Sequence, residues 1–495
     1  MKLASFIVAL LGDSNVFAST PIKSGKIPWP PISRNTAEGD IDTQSLSELK
    51  RPWWDLGLAD DILNEVGLYY LGQAWYQATD VGEMLETFSR CNASDPWSWT
   101  LEFCKTAERL EDLAKESADA GHHRSAGHYY LRAATYRRAA LHRHPDPYHP
   151  EVPIQAQLAV SAFEKFITEF EYPCKPVKIP YEDTTLPGYL CISPNINGPA
   201  PTIIFQEGKD GWAEDGKFIV DEAVPRGYNV LLFDGPGIGK VMRLQGLPFR
   251  HDWENVITPL VDYLIDMDEV DENNIALIAV SLGGYLGPRA AAYEHRLKAL
   301  IANPGVVDWS IVYSDFLNEI DPDLMTVFKT DTEMFDQYIY QYMDHVPVLE
   351  WGMVDSMWHH NTTTPTELMQ EVQRFINRDT AKDISACTMI IDADLETRGQ
   401  SKELYDALVN CPNKTYVKFT VEEAAQFHVQ PGATAILSAR MFNWLDEIFG
   451  VDLSSTSSAT TSEVHADDSL GYYRSLFVAT FSITSLAIAL AVMGL

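Results

Sequence analysis

Positive charge is scarce in this chain. Its 37 lysines and arginines face 70 aspartates and glutamates, a formal net charge of −33. A nucleic-acid-binding surface needs a basic footprint, so that function class is excluded. Cysteine is also sparse, with six in 495 residues. None stands at zinc-ligand spacing, so no metal centre is expected. The one glycine-rich turn after an apolar run, Asp234-Gly235-Pro236-Gly237-Ile238-Gly239, lacks the Gly-Lys-Ser/Thr ending and the complete Gly-x-Gly-x-x-Gly spacing. A nucleotide cradle is therefore not expected, and no other cofactor is implied.

What is present is chemistry of another kind. Residues 275–284 read Ile-Ala-Leu-Ile-Ala-Val-Ser-Leu-Gly-Gly. A short apolar run of strand length ends in Ser281, and the alanine-rich stretch 285–295 follows as a helix. This is the layout of a nucleophile elbow, in which a sharp strand-to-helix turn exposes the serine and aims the next backbone N–H, that of Leu282, at the reacting oxygen. The usual pattern is Gly-x-Ser-x-Gly, and Ala279 replaces its first glycine with the smallest available side chain. Upstream, the strand 201–205 runs into Gln206-Glu207-Gly208-Lys209-Asp210-Gly211. Gly208 and Lys209 are the candidates for a second oxyanion donor there.

A serine hydroxyl needs a base, and the base needs an orienting carboxylate. In folds with this elbow the chain order is serine, acid, histidine. Among the 13 histidines, His428 stands in the loop after the last strand (416–419) and before a helix at about 433–448. The strand 388–391 ends in Asp392-Ala393-Asp394-Leu395-Glu396. Glu396 falls at the acid's usual station, Asp394 is the second candidate and Asp392 the third.

The stretch from about 51 to 449 resembles the fungal and bacterial α/β-hydrolases that include heptaketide hydrolyase, dihydroxypseudooxynicotine hydrolase and the fusarin-type polyketide-cluster hydrolases. The resemblance is carried by Ile179-Pro180-Tyr181-Glu182, Leu186-Pro187-Gly188-Tyr189, Arg226-Gly227-Tyr228, Phe233-Asp234-Gly235-Pro236-Gly237, Gln245-Gly246-Leu247-Pro248 with Arg250 and Trp253, Ser281-Leu282-Gly283-Gly284-Tyr285, Gly399-Gln400, and Glu422-Glu423 through His428. Ile238 departs from the family's frequent glutamine, and Glu207 stands where its members often have glycine. The resemblance implies an α/β-hydrolase fold and a Ser–acid–His triad. It also implies hydrolysis of an ester, an amide or a carbon–carbon bond beside a carbonyl, the mechanism class being common to all three.

The organisation that follows is an N-terminal helical region (51–170) and an α/β core (171–449). Helical spacing marks 60–88, 97–120 and 122–142. A helical lid (308–380) is inserted between the sixth and seventh strands. Its Trp309, Tyr313, Phe316, Trp351, Met357 and Trp358 are expected mainly in its own core, with some lining an apolar pocket for an aromatic or polyketide-like small molecule. Two other classes remain open: a peptidase or amidase of the prolyl-oligopeptidase type, although no blade-like strand repeats occur, and a non-catalytic surface protein of the same fold.

The ends concern location. Residues 1–18 carry a basic start, an apolar run and Val16-Phe17-Ala18, the form of a secretory signal peptide. Asn92, Asn361 and Asn413 head glycosylation triplets. Six cysteines fit an oxidising compartment, with Cys174–Cys191, Cys91–Cys104 and Cys387–Cys411 as candidate pairs. A Ser/Thr-rich linker (452–474) leads to an apolar tail (475–495) that reads as a removed GPI-attachment signal in preference to a retained transmembrane helix. The expected setting is the outer cell surface, membrane-held through the C-terminal anchor. Phosphatidylinositol-specific phospholipase C should then release activity from intact cells. Activity that stays bound, but is freed by truncation before Leu476, would identify a membrane-spanning tail instead.

Overall fold

The computed structural model describes residues 53–196 and 198–450. The leader, the linker and the tail lie outside them. Among the described residues no helix is long and apolar enough to cross a membrane.

The architecture is that of an α/β-hydrolase. Eight strands form one sheet in the order β1-β2-β4-β3-β5-β6-β7-β8. They are β1 (Cys174–Tyr181), β2 (Thr184–Cys191), β3 (Ala200–Gln206), β4 (Asn229–Phe233), β5 (Val270–Val280), β6 (Leu297–Asn303), β7 (Cys387–Ala393) and β8 (Lys414–Phe419). Only the β1–β2 hairpin and the β2–β4 pair are antiparallel. A parallel sheet is covered on both faces, so its strands read as unbroken apolar runs. Residues 275–279 of β5 accordingly have no solvent exposure.

Among the described residues five α-helices precede the sheet: α1 (Asp61–Gly72), α2 (Val81–Arg90), α3 (Ser98–Asp119), α4 (His123–His142) and α5 (Glu151–Phe170). The stretch expected as one helix over 60–88 is two, because Gln77 takes the left-handed conformation and Asp80 starts a new helix by capping Gly82 N–H. Helix α5 was not among the expected segments. This region is tied to the core by a buried pair: Arg138 of α4 donates twice to Asp215 Oδ1, at 2.9 and 3.2 Å. Removing one partner of such a pair costs about 3–5 kcal/mol, because the other charge is left buried alone.

The core helices are α6 (Lys217–Ala223), α7 (Glu254–Ile265) and α8 (Gly283–Ala291), with α14 (Ser401–Ala407) and α15 (Thr434–Phe449) toward the end. Between β6 and β7 stands the lid: α9 (Ser310–Ile320), α10 (Leu324–Thr330), α11 (Thr332–Met343), α12 (Pro347–His360) and α13 (Pro365–Val372). Phe335, Leu349, Met353 and Leu368 bury the facing sides of its helices, while Trp351 and Trp358 are half-buried.

Cys174 and Cys191, opposite each other in the β1–β2 register, form a disulfide. The two other candidate pairs are not formed: Cys91, Cys104, Cys387 and Cys411 are free thiols. Cys91 and Cys411 instead direct their Sγ atoms at backbone carbonyls. Asn92, Asn361 and Asn413 are all exposed.

Helix α8 lies so close to the sheet that side chains are excluded from its inner face. A Cβ on Gly284 would come within 1.7 Å of the Pro304 carbonyl oxygen, and one on Gly287 within 2.6 Å of the Ala279 methyl. Gly284→Ala should destabilise by at least about 1–3 kcal/mol, the usual cost of overpacking. Gly352→Ala, in α12 with open space around it, should be neutral or stabilise by up to about 1 kcal/mol through helix propensity. Urea denaturation of both variants checks the contrast.

Candidate active site

The site is assembled at the carboxyl ends of the parallel strands, where such sheets hold their ligands. Ser281 follows β5 directly. Its φ of +59° is left-handed, a conformation that costs a non-glycine residue roughly 1–3 kcal/mol and persists only when its surroundings enforce it. The enforcement is visible. Ser281 N–H donates to the Asn303 carbonyl at 2.7 Å, and Gly284 N–H closes the turn onto the Ser281 carbonyl at 2.8 Å.

His428 Nε2 lies 2.9 Å from Ser281 Oγ. On the other side of the ring, Nδ1 lies 3.0 and 2.9 Å from the two oxygens of Glu396. Glu396 is almost enclosed, its side chain only 2% accessible. Burial pushes its pKa up, but the neighbouring His428 and the Arg398 N–H, which donates to it at 2.7 Å, outweigh that effect and leave it below the usual range. It therefore remains an ionised acceptor. Since a carboxylate can only accept, His428 must donate from Nδ1, which leaves Nε2 as a lone-pair acceptor facing the serine.

The other two carboxylates of this loop point elsewhere. Asp394 accepts the Val421 N–H at 3.1 Å and pairs with Lys418. Asp392 bonds the Tyr416 hydroxyl.

The histidine loop is pinned from both sides. Leu395 N–H donates to the Gln426 carbonyl at 2.8 Å, which ties it to the acid's loop. Asn303, already bonded to Ser281, donates from Nδ2 to Gln430 Oε1 at 2.8 Å. Phe427 carries Trp54 at 5.5 Å between ring centroids. Asn303, Gln426 and Gln430 have no signature in the sequence, since their role depends on which strand ends become neighbours.

Gly208 stands directly above the elbow. A Cβ there would lie 2.6 Å from both Leu282 N and Ser281 Cβ. Among the described residues, neither Leu282 N–H nor Lys209 N–H donates to another protein group. Leu282 N lies against Gly208, the residue before Lys209.

Glu207, one residue earlier, is folded back over its own loop. A Cβ on Gly211 would meet its Cγ, Cδ and Oε2 at 2.6 Å. Burial, with a smaller contribution from the negative charge of Asp215, pushes its pKa to about 8. At neutral pH it is mainly a neutral carboxylic acid.

The elbow and histidine arrangement has no counterpart in a separate depression among the described residues. That one has a volume of about 410 Å³ and lies around His295, Arg296 and Cys387 at the opposite end of the strands.

The fold and the chain's similarities define an enzyme of the α/β-hydrolase class. Its relatives are fungal hydrolases. A hydrolase of a Fusarium species is 29% identical over 404 residues, covering 78% of this chain and 96% of the relative. The 20-hydroxy-prefusarin hydrolase of Gibberella moniliformis is 28% identical, covering 79% and 98%. An alpha/beta hydrolase of Aspergillus fumigatus is 28% identical, covering 78% and 92%. Among solved structures, 2,6-dihydroxy-pseudo-oxynicotine hydrolase shares the fold with a TM-score of 0.59 at 19% identity, over 76% of this chain and 95% of that one. AbyA5 does so at 0.53 and 16% identity, over 77% and 96%. No family model matches the chain.

Glu207 makes stability depend on pH in a defined direction. The unfolded chain releases this proton near the ordinary glutamate value of about 4.3. The folded chain releases it only near 8. Between these values the folded state holds the extra proton, so stability falls as pH rises, by up to about 1.4 kcal/mol per pH unit. Glu207→Gln keeps the shape without the proton. Its stability advantage over wild type should therefore grow from about pH 5 to about pH 8, measured by urea unfolding across that range.

Proposed function

We propose that this hydrolase acts through Ser281 as nucleophile, His428 as general base and acid, and Glu396 as the orienting carboxylate. One observation carries the reading: the unbroken hydrogen-bonded chain from Ser281 Oγ through both His428 nitrogens to Glu396. Ser281 Oγ attacks the substrate carbonyl while His428 Nε2 takes its proton. The adjacent Glu396 charge stabilises the imidazolium. The carbonyl oxygen becomes an oxyanion, which the Leu282 and Lys209 N–H groups are assigned to receive. His428 then returns the proton to the leaving group, and an acyl-enzyme remains on Ser281. Water, deprotonated by the same histidine, releases the acid and restores the serine.

The leaving group can be an alkoxide or a stabilised carbanion, since the triad performs the same steps for both. We favour an ester or a carbon–carbon bond next to a carbonyl, in an aromatic or polyketide-like compound. Support comes from the half-buried Trp351 and Trp358 of the lid and from relatives of which one is a 20-hydroxy-prefusarin hydrolase.

Ser281→Ala should leave the protein folded and lower turnover by about three orders of magnitude or more. It should also abolish labelling by a fluorophosphonate probe. Glu396→Gln should lower kcat by up to about 10⁴-fold through the wrong imidazole tautomer, whereas Asp394→Asn should change it little. Retained activity in Ser281→Ala would end the reading, and the reverse carboxylate ranking would move the acid to Asp394.

A further inference from the structure

Lys209 belongs to two parts of the molecule at once. Its backbone follows Gly208, where even a Cβ would lie 2.6 Å from Leu282 N and Ser281 Cβ, so a shift of this loop moves the Lys209 N–H relative to the nucleophile. Its side chain leaves the core and ends at the lid. The ammonium makes a close ion pair with Asp355 of α12 and a longer one, 3.4 Å, with Asp210. The Lys209 and Asp355 side chains are 10% and 11% accessible, whereas that of Asp210 is 37% accessible. Water screens the Asp210 contact far more than the Asp355 contact. Burial alone would lower the lysine's pKa, but the two carboxylates outweigh it and hold the ammonium charged.

Asp355 is itself held in place. His359, one turn further along α12, donates from Nδ1 to the Gly237 carbonyl at 2.8 Å. The His359 carbonyl accepts the Phe249 N–H at 3.0 Å. Burial lowers the His359 pKa to about 4, so the ring is neutral and its other nitrogen, 3.6 Å from Asp355 Oδ1, carries no proton. One turn before Asp355, the Trp351 ring lies 5.4 Å from the ammonium. Asp210, Asp355 and His359 come close enough together to hold a metal ion, but the Lys209 ammonium already serves the carboxylates as their cation.

We propose that Asp355 is a positioning residue: by gripping the Lys209 ammonium, the docked lid helix sets the oxyanion loop over Ser281. Lid docking and catalytic competence are then one event. A substrate that seats α12 correctly also aligns the Lys209 N–H that receives its carbonyl oxygen. The proposal rests on the reading of Ser281 as nucleophile and of the Lys209 N–H as an oxyanion donor.

The test uses the full chain with an activated aryl ester for steady-state kinetics and a fluorophosphonate probe for the serine. Loss of a whole oxyanion donor costs about 10²–10³ in kcat. Asp355→Asn misplaces the donor without deleting it, so a drop of at least about tenfold in kcat with a much smaller change in KM is expected. Asp355→Glu should recover part of that loss. Because Asp355→Asn leaves a buried ammonium less well paired, the double variant Lys209→Met/Asp355→Leu, which removes both charges, is measured beside it. It should fold, as judged by thermal melting, stay slow, and be no slower than the worse single variant.

A folded double variant with wild-type kcat would overturn the proposal, as would an Asp355→Asn effect confined to KM. Failure of wild-type Ser281 to react with the fluorophosphonate would instead overturn the functional reading beneath it.

Discussion

The close approach of helix α8 to the strand ends is the constraint from which the rest of the site follows. Ser281 is held in a left-handed conformation that its own side chain disfavours. Only small residues at 279, 284 and 287 let the helix come near enough to hold it there. Gly208 extends the same condition to the facing loop. The strain is local and is offset by the surrounding packing and by the Ser281–Asn303 backbone bond. A larger side chain at any of these positions would displace Ser281 from His428.

Around this apolar, tightly packed turn the protein buries three ion pairs. Arg138–Asp215 joins the N-terminal helices to the segment after the Gly208–Lys209 loop. Lys240–Glu214, with the Tyr189 hydroxyl, braces the glycine-rich turn after β4. Lys209–Asp355 joins the loop to the lid. Such pairs contribute less net stability than apolar residues of the same volume would, but losing either partner is costly. They therefore specify how three regions dock: a helical region, a core or a lid placed a few ångströms away would strand a charge in a low-dielectric interior. The neutral acid Glu207 belongs to the same neighbourhood and marks how fully water has been excluded from it.

Much of the core was legible in the sequence, because parallel strands buried on both faces leave unbroken apolar runs. The runs at 201–205, 228–233 and 275–280 correspond to β3, β4 and the end of β5. The lid was legible as an aromatic-rich insertion, and the Cys174–Cys191 bridge followed from the hairpin between its halves. Less visible were the break within 60–88 and helix α5. The first depends on a single left-handed residue, Gln77. The second does carry helical spacing, at Val152, Ala156, Ala159, Val160, Phe163, Phe166 and Ile167. The other candidate pairs, Cys91–Cys104 and Cys387–Cys411, followed only from an even cysteine count, and their thiols stay free.

The sequence by itself determined the chemical types and their order along the chain: a serine after a strand among small residues, then carboxylates after a later strand, then a histidine after the last. Local sterics suffice for that, since the elbow is a matter of neighbours in the chain. Which carboxylate meets the histidine was decided only by the tertiary structure. Glu396 and Asp394 differ by two residues, yet one turns inward to His428 and the other outward to Lys418. That choice is made by the path of a loop pinned to Gln426, and the docking of Lys209 onto the lid is likewise made by residues 146 positions apart. Contacts of this range exist only once the sheet order has brought distant strand ends together.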